Sequence, residues 1–175
     1  HVGFIYIQKL EDGNSYTEAG FMILCYVAWH GLRRATPQID ESVVVFGCGI
    51  VGQLTIQLAR IAGCYPIIAV DLVESRLEKA RISGATHLVD ASKVDSVEAV
   101  MAITEGAGAE IVFHCTPVAS LLQTTLEAAA KRGKVILTGS APGIAEIGLQ
   151  VELLRRELSI IGTYEVDMDQ PSVYW

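Results

Sequence analysis

The chain has 175 residues, which is enough for one domain with a sizeable hydrophobic core. Hydrophobic residues make up 51% of it, the mean hydropathy is +0.39, and the formal net charge at pH 7 is −7. The acidic balance argues against a nucleic-acid partner, and no apolar run reaches the ~18–20 residues of a membrane span, so the composition predicts a cytoplasmic globular protein.

The first forty residues predict one strand and one long helix. Residues 3–9 alternate as an exposed or edge strand, and Ser15 and Glu18 have the spacing of a capping box. A helix is therefore expected from just after Ser15 to about Arg34. The strand pattern begins almost at His1, without a methionine, which predicts that the chain is a piece of a longer protein.

The central stretch carries the strongest pattern of the sequence. An apolar strand, 43–46, leads directly into Gly47, Gly49 and Gly52, which are spaced G-x-G-x-x-G. An amphipathic helix follows, and the next apolar strand ends on Asp71, 19 residues after Gly52. A glycine triplet alone is weak evidence for a nucleotide site. Here it lies between a strand and a helix, and an acid ends the next strand, which is the dinucleotide-binding fingerprint.

Each residue of this fingerprint has a physical role. Gly47 permits the tight turn, Gly49 lets the backbone approach a pyrophosphate, and Gly52 lets the helix pack closely on the sheet. The helix start offers N–H groups and the positive end of its dipole. Asp71 can accept hydrogen bonds from both ribose hydroxyls and would repel a 2′-phosphate, which favours NAD over NADP. The alternative is that the glycines only shape a turn and that Asp71 is a solvated strand end.

The rest of the chain alternates short apolar strands with helical patterns. Helices are predicted at 50–62, 74–82, 95–103, 118–130 and 149–153, and strands at 43–46, 66–70, 87–89, 111–115, 135–138 and 158–161. This alternation predicts an α/β fold with a doubly wound, parallel six-stranded sheet. Right-handed crossovers predict the strand order 3-2-1-4-5-6, a Rossmann fold preceded by an N-terminal connecting segment.

Ligands of such sheets bind beyond the carboxyl ends of the strands. The candidate cofactor-binding residues are therefore Gly47, Gly49, Ile50, Val51, Gly52, Asp71, Leu72, Arg76, Cys115, Thr116, Gly139 and Ser140. Arg76 could reach the adenosine ribose or be a solvated helix charge, and the two readings stay open. Cys115 and Thr116 are interpreted as a wall of the cofactor site rather than as nucleophiles.

The cysteines and histidines predict packing rather than catalysis. No C-x-x-C pair occurs among the four cysteines, Cys25, Cys48, Cys64 and Cys115, so reduced and largely buried thiols are expected. His114 is interpreted as a hydrogen-bonded sheet residue, and His30 as a packing residue of the first helix. No residue of the chain is identified as catalytic.

Eight segments together resemble the medium-chain dehydrogenase/reductase family, which includes the alcohol, polyol and threonine dehydrogenases. They are 16–19, 29–34, 42–71, 70–80, 84–87, 112–116, 133–139 and 157–162. The resemblance implies a GroES-like catalytic domain joined to a Rossmann coenzyme domain. On this reading, residues 1–40 connect from a missing catalytic domain, 41–165 form the NAD-binding domain, and 166–175 lead back to the catalytic domain.

The same resemblance implies a function for the parent protein. It would oxidise a small alcohol or polyol, or reduce the carbonyl, by hydride exchange with NAD, as a homodimer or homotetramer. Zinc could serve the full-length protein through ligands that lie mostly outside this chain. Cys25 is either one such ligand or a packed core cysteine, and Pro117 replaces a glycine that is common in the family. This chain alone would be inactive.

Two alternatives remain at this point. One is a zinc-independent quinone or enoyl reductase of the same superfamily. Ile23 and Leu24 favour it slightly, because neither side chain binds metal, whereas Asp71 disfavours it. The other is a non-catalytic nucleotide-binding module, which would need no substrate domain.

Overall fold

The computed structural model of the protein describes residue 13 and residues 15–164. Six strands lie in this part of the chain: β1 Val43–Phe46, β2 Ile67–Asp71, β3 His87–Asp90, β4 Ala109–His114, β5 Ala129–Leu137 and β6 Ser159–Gly162. They form one sheet in the order β3-β2-β1-β4-β5-β6, and all neighbouring pairs are parallel. The predicted sheet and strand order are confirmed.

The described helices alternate with these strands. They are α1 Tyr16–Ala35, α2 Ile50–Ile61, α3 Glu74–Ser83, α4 Ser96–Ile103 and α5 Leu122–Glu127, with a 3₁₀ helix at Ala119–Leu121 and a π-helical segment at Leu149–Arg155. None of the helices in this part of the chain is long and apolar enough to cross a membrane.

The sheet has a hydrophobic layer on each face, because successive residues of a strand point to opposite sides. On one face Val43 and Val45 of β1 pack in a cluster with Leu32 of α1 and Ile56 of α2. On the other face Val44 and Phe46 belong to a second cluster, together with Val100, Leu126 and Val135. All four residues of β1 are buried, so this central strand reads as a continuous apolar run.

Helix α1 packs against the sheet, because its Leu32 belongs to the first of these two clusters. Its N-cap is Ser15, as predicted, and the Oγ of Ser15 accepts the N–H of Thr17 at 3.2 Å. The helix ends at Thr36, which has left-handed backbone angles. There the Nζ of Lys134 in β5 donates to the carbonyl of Ala35 at 2.6 Å and to Oγ1 of Thr36 at 3.0 Å. The predicted strand 3–9 and the side chain of Glu18 lie outside the described residues.

The predicted helix at 118–130 is too long. The structure has the 3₁₀ helix and then α5, which stops at Glu127, and Ala129 already pairs with Ala109 of β4. The register of this pairing is irregular, and Gly133 packs so tightly that a Cβ there would lie 2.8 Å from the carbonyl oxygen of Ala130. Strand pairing across this bulge thus overrides the local helix preference of the alanines.

We expect Lys134→Met to destabilise the chain by about 1–3 kcal/mol, because a charged donor to the end of α1 is lost. Urea unfolding followed by circular dichroism measures this change. Lys131→Met is the matched control, since Lys131 makes only a 3.8 Å surface ion pair with Glu157. Equal effects of the two substitutions would contradict the capping role.

Candidate functional site

The glycine turn after β1 is closed on two sides by backbone packing. Gly47 has a left-handed φ of 92°, its N–H donates to the carbonyl of Val70 at 2.8 Å, and a Cβ there would lie 2.9 Å from the carbonyl oxygen of Cys115. A Cβ on Gly52 would lie only 1.9 Å from the carbonyl oxygen of Gly47. Both positions therefore require glycine.

Gly49 differs from these two glycines. It is the N-cap of α2, with ordinary angles of φ −71° and ψ −167°, and a Cβ there would meet no atom of the described chain within 4 Å. No side chain caps the start of α2 within the described residues, and its first turn, which includes Ile50 and Val51, has no acidic residue. The start of α2 thus leaves its N–H groups to an anion in front of Gly49.

Asp71 ends β2 beside this turn, and its side chain is 6% exposed. Oδ2 accepts the N–H of Cys48 at 2.7 Å, and Oδ1 accepts the N–H of Val73 at 2.9 Å. The reading of Asp71 as a solvated strand end is therefore wrong. Each carboxylate oxygen keeps further acceptor capacity for a ligand.

Arg76 lies in the first turn of α3, at the same corner. Its side chain is 55% exposed, and Nη1 is 3.8 Å from Oδ2 of Asp71. The side chain is thus largely solvated and lies beside the carboxylate of Asp71, and its contact with a ribose stays a prediction. Leu72, between the two, is exposed.

The ends of β4 and β5 form the third side of the site. The N–H of Cys115 donates to the carbonyl of Phe46 at 2.8 Å, and a Cβ on Gly139 would lie 2.8 Å from the carbonyl oxygen of Thr116. Ser140 follows Gly139 and is exposed. The structure therefore brings the turns after β1, β4 and β5 into backbone contact at the carboxyl edge of the sheet.

The thiols at this edge are poor nucleophiles. Burial, with the nearby charge of Asp71, raises the pKa of Cys48 to about 12, and burial raises the pKa of Cys115 to about 12. Thiolate is the reactive form, so both groups are inert at neutral pH. This agrees with Cys115 as a wall residue, and its Sγ lies 4.0 Å from Oγ1 of Thr55. All four cysteines are free thiols, as predicted.

The described residues contain no complete set of metal ligands. Within 15–164 no three side chains of His, Cys, Asp or Glu come together as metal ligands. Cys25 is half-buried in α1. Its assignment as a zinc ligand or as a packed core cysteine stays a prediction.

The two histidines that the sequence assigns to packing are not fully hydrogen-bonded. Within the described chain, Nδ1 of His114 and Nδ1 of His30 are buried without a partner. Burial lowers the pKa of His114, although a hydrogen bond to the backbone of Thr116 acts in the opposite direction. The prediction that His114 is a fully hydrogen-bonded sheet residue is therefore wrong, since its Nδ1 has no partner in the described chain.

Sequence reasoning missed one residue that links the parts of the site. The side-chain amide of Gln53, in α2, donates to the carbonyls of Cys48 at 3.0 Å and Arg76 at 2.9 Å, and accepts the hydroxyl of Ser83 at 2.9 Å. The fingerprint does not specify the position after its last glycine, so no local signal marks Gln53.

Taken together, the parallel sheet, the glycine turn and the acid at the end of β2 define a Rossmann-type coenzyme domain. Residues 51–174 match the family model described as zinc-binding dehydrogenase. The chain belongs to this family, and it corresponds to the coenzyme-binding domain of the medium-chain dehydrogenases.

Three relatives illustrate the match. Sorbitol dehydrogenase of Bacillus subtilis (strain 168) is 29% identical over 160 residues, which cover 91% of this chain and 45% of that protein. The structure of 2R,3R-butanediol dehydrogenase from Bacillus subtilis matches with a TM-score of 0.82 and 28% identity, over 95% of this chain and 47% of that one. A protein described as a zinc-binding dehydrogenase, from Sinorhizobium meliloti 1021 and bound to NADP, matches with a TM-score of 0.79 and 30% identity, over 83% and 43%. The chain thus spans less than half the length of each.

We expect Gly49→Val to weaken NAD binding at least tenfold and to leave the fold intact, because the new side chain enters open space where a pyrophosphate would lie. Gly52→Ala should instead destabilise the fold by about 3 kcal/mol or more, since its Cβ overlaps the Gly47 carbonyl. Calorimetry with NAD and urea unfolding separate the two effects. Unchanged NAD affinity in folded Gly49→Val would contradict the placement of the pyrophosphate.

The raised pKa of Cys48 predicts a pH dependence of stability. A thiol whose pKa is raised on folding stabilises the fold below its unfolded value of about 8.5, and this contribution is lost as pH rises toward about 12. Between pH 8 and pH 10 the wild type should lose about 1–2 kcal/mol more stability than Cys48→Ala. Urea unfolding at both pH values measures the difference, and parallel losses would refute it.

Proposed function

We propose that this chain is the NAD(H)-binding part of an oxidoreductase that transfers hydride between an alcohol or polyol and NAD. Its family and the sorbitol and butanediol dehydrogenases among its relatives support this reading. The chain spans 45% of the length of sorbitol dehydrogenase, so we assign substrate binding to a catalytic domain outside it.

One observation carries the assignment of the cofactor. The open space at Gly49 faces the uncapped start of α2, and the buried carboxylate of Asp71 lies within one hydrogen bond of the same turn, through the N–H of Cys48. An anion-binding helix start beside an ordered acid suits a molecule with a pyrophosphate next to a ribose.

The rest of the cofactor follows from this placement. The pyrophosphate would contact Gly49, Ile50 and Val51, and the adenosine ribose would lie between Asp71 and Arg76. The nicotinamide half would run along the turns after β4 and β5. Its contacts would be Cys115, Thr116, Gly139 and Ser140.

The chemistry is divided between this domain and the missing one. Bound NAD supplies a hydride acceptor at C4 of its nicotinamide. The residues of this chain would bind and orient the cofactor. We assign proton removal from the alcohol, and any zinc, to the catalytic domain, so this chain alone should have no turnover.

The exposed apolar side chains of α1 support contact with a further domain. Phe21, Met22 and Ile23 are exposed in the N-terminal half of this helix, and Ile23 is 65% exposed. Exposed apolar patches of this kind mark contact surfaces. A homodimer or homotetramer, and a cytoplasmic location, stay predictions.

Asp71 is proposed to select NAD, although one relative binds NADP. Asp71→Ser should weaken NAD about 10- to 100-fold, because charge-assisted hydrogen bonds to the ribose are lost, and should leave NADP unchanged or tighter. Calorimetry with each dinucleotide measures the two dissociation constants. The loss of the Cys48 contact could weaken the binding of both dinucleotides to the same extent. The ratio of the two dissociation constants therefore reports on selectivity alone.

Asp90→Ser is the matched control for this experiment. Asp90 lies beside Asp71 at the end of β3, but its carboxylate pairs with Lys93 at 2.7 Å. This substitution should leave the ratio of the two constants unchanged. A wild-type preference for NADPH would instead favour the zinc-independent reductase, and no binding of either dinucleotide would reject the proposal.

A further inference from the structure

The amide of Gln53 uses all of its hydrogen-bonding groups within the structure. Nε2 has two hydrogens and reaches two carbonyl oxygens, those of Cys48 at 3.0 Å and Arg76 at 2.9 Å. Oε1 accepts the hydroxyl of Ser83 at 2.9 Å. The orientation of the amide follows from chemistry, because carbonyl oxygens require a donor whereas a hydroxyl can donate to Oε1.

The Cys48 carbonyl belongs to the peptide group whose N–H is that of Gly49. Holding this carbonyl fixes the plane of the Cys48–Gly49 peptide, and therefore the direction of the Gly49 N–H. The preceding peptide is held separately, by the bond from the Cys48 N–H to Asp71 at 2.7 Å. Gln53 and Asp71 thus orient two successive peptides at the place where Gly49 leaves open space.

The second carbonyl belongs to Arg76, in the first turn of α3. Its guanidinium lies 3.8 Å from Asp71, at the corner where the adenosine ribose is proposed to bind. Gln53 joins the backbone of this corner to the backbone of the glycine turn, as Asp71 does through the N–H groups of Cys48 and Val73. A side chain of α2 therefore helps to set the distance between the pyrophosphate contacts and the ribose contacts.

We propose that Gln53 is a positioning residue for the adenosine diphosphate half of the cofactor, with Ser83 orienting its amide. Gln53 touches the backbone on both sides of the site rather than the cofactor itself. This inference rests on the proposed binding of NAD and adds a residue that the glycine fingerprint does not contain.

The test uses ADP-ribose, which carries the adenosine, the pyrophosphate and the second ribose but no nicotinamide. Gln53→Met keeps the length of the side chain and removes both donors. Calorimetry should show the dissociation constants for NAD and for ADP-ribose rising by the same factor, about tenfold. A loss of global stability that leaves the chain folded would change neither constant.

Gln57→Met is the matched control, because Gln57 lies one turn further along α2 and is exposed. It should leave both dissociation constants unchanged. Ser83 provides a second series that does not alter Gln53. Ser83→Ala should weaken ADP-ribose about threefold, and Ser83→Thr, which keeps a hydroxyl, should restore the wild-type value.

The outcomes separate the two proposals. If the wild type binds NAD and ADP-ribose but Gln53→Met and Ser83→Ala bind them equally well, the positioning role is overturned and the proposed function stands. If Gln53→Met does not fold, the comparison of Ser83→Ala with Ser83→Thr decides, and failure of the threonine to restore binding overturns the role. If the wild type binds neither ligand, the proposed function fails, and the positioning role fails with it.

Discussion

The contact between α2 and the turn that precedes it is the constraint on which the rest of the site depends. A Cβ on Gly52 would lie 1.9 Å from the Gly47 carbonyl, so the helix starts as close to the end of β1 as a backbone allows. On its other side the turn meets the end of β4, where Cys115 donates to Phe46. Gly49, between these two closely packed glycines, faces open space.

Asp71 connects this turn to the neighbouring strand. Its carboxylate is nearly buried, which would be costly without partners, and two backbone N–H groups and a nearby guanidinium supply them. The same bonds that satisfy the charge hold the turn and the start of α3 in place. Asp71, which is proposed to select NAD over NADP, thus also positions the backbone that the cofactor would contact.

Much of the fold could be predicted from the sequence, because its signals are local. The continuous apolar run of β1, the capping serine of α1 and the spacing from Gly52 to Asp71 each lie within a short segment. The end of α5 could not be predicted in the same way. Its alanines favour a helix, yet pairing of Ala129 with a distant strand converts them to an irregular strand.

The sequence by itself determined the alternation of strands and helices, the glycine turn and the acid that closes β2. These follow from periodicity and from the few residues that tolerate a left-handed turn or a close backbone contact. Only the tertiary structure decided that Asp71 is buried against the Cys48 N–H and that Gln53 joins α2 to Arg76 and Ser83 of α3. Those contacts depend on how helices and strands more than twenty residues apart pack against one another, and no spacing within a single element encodes that packing.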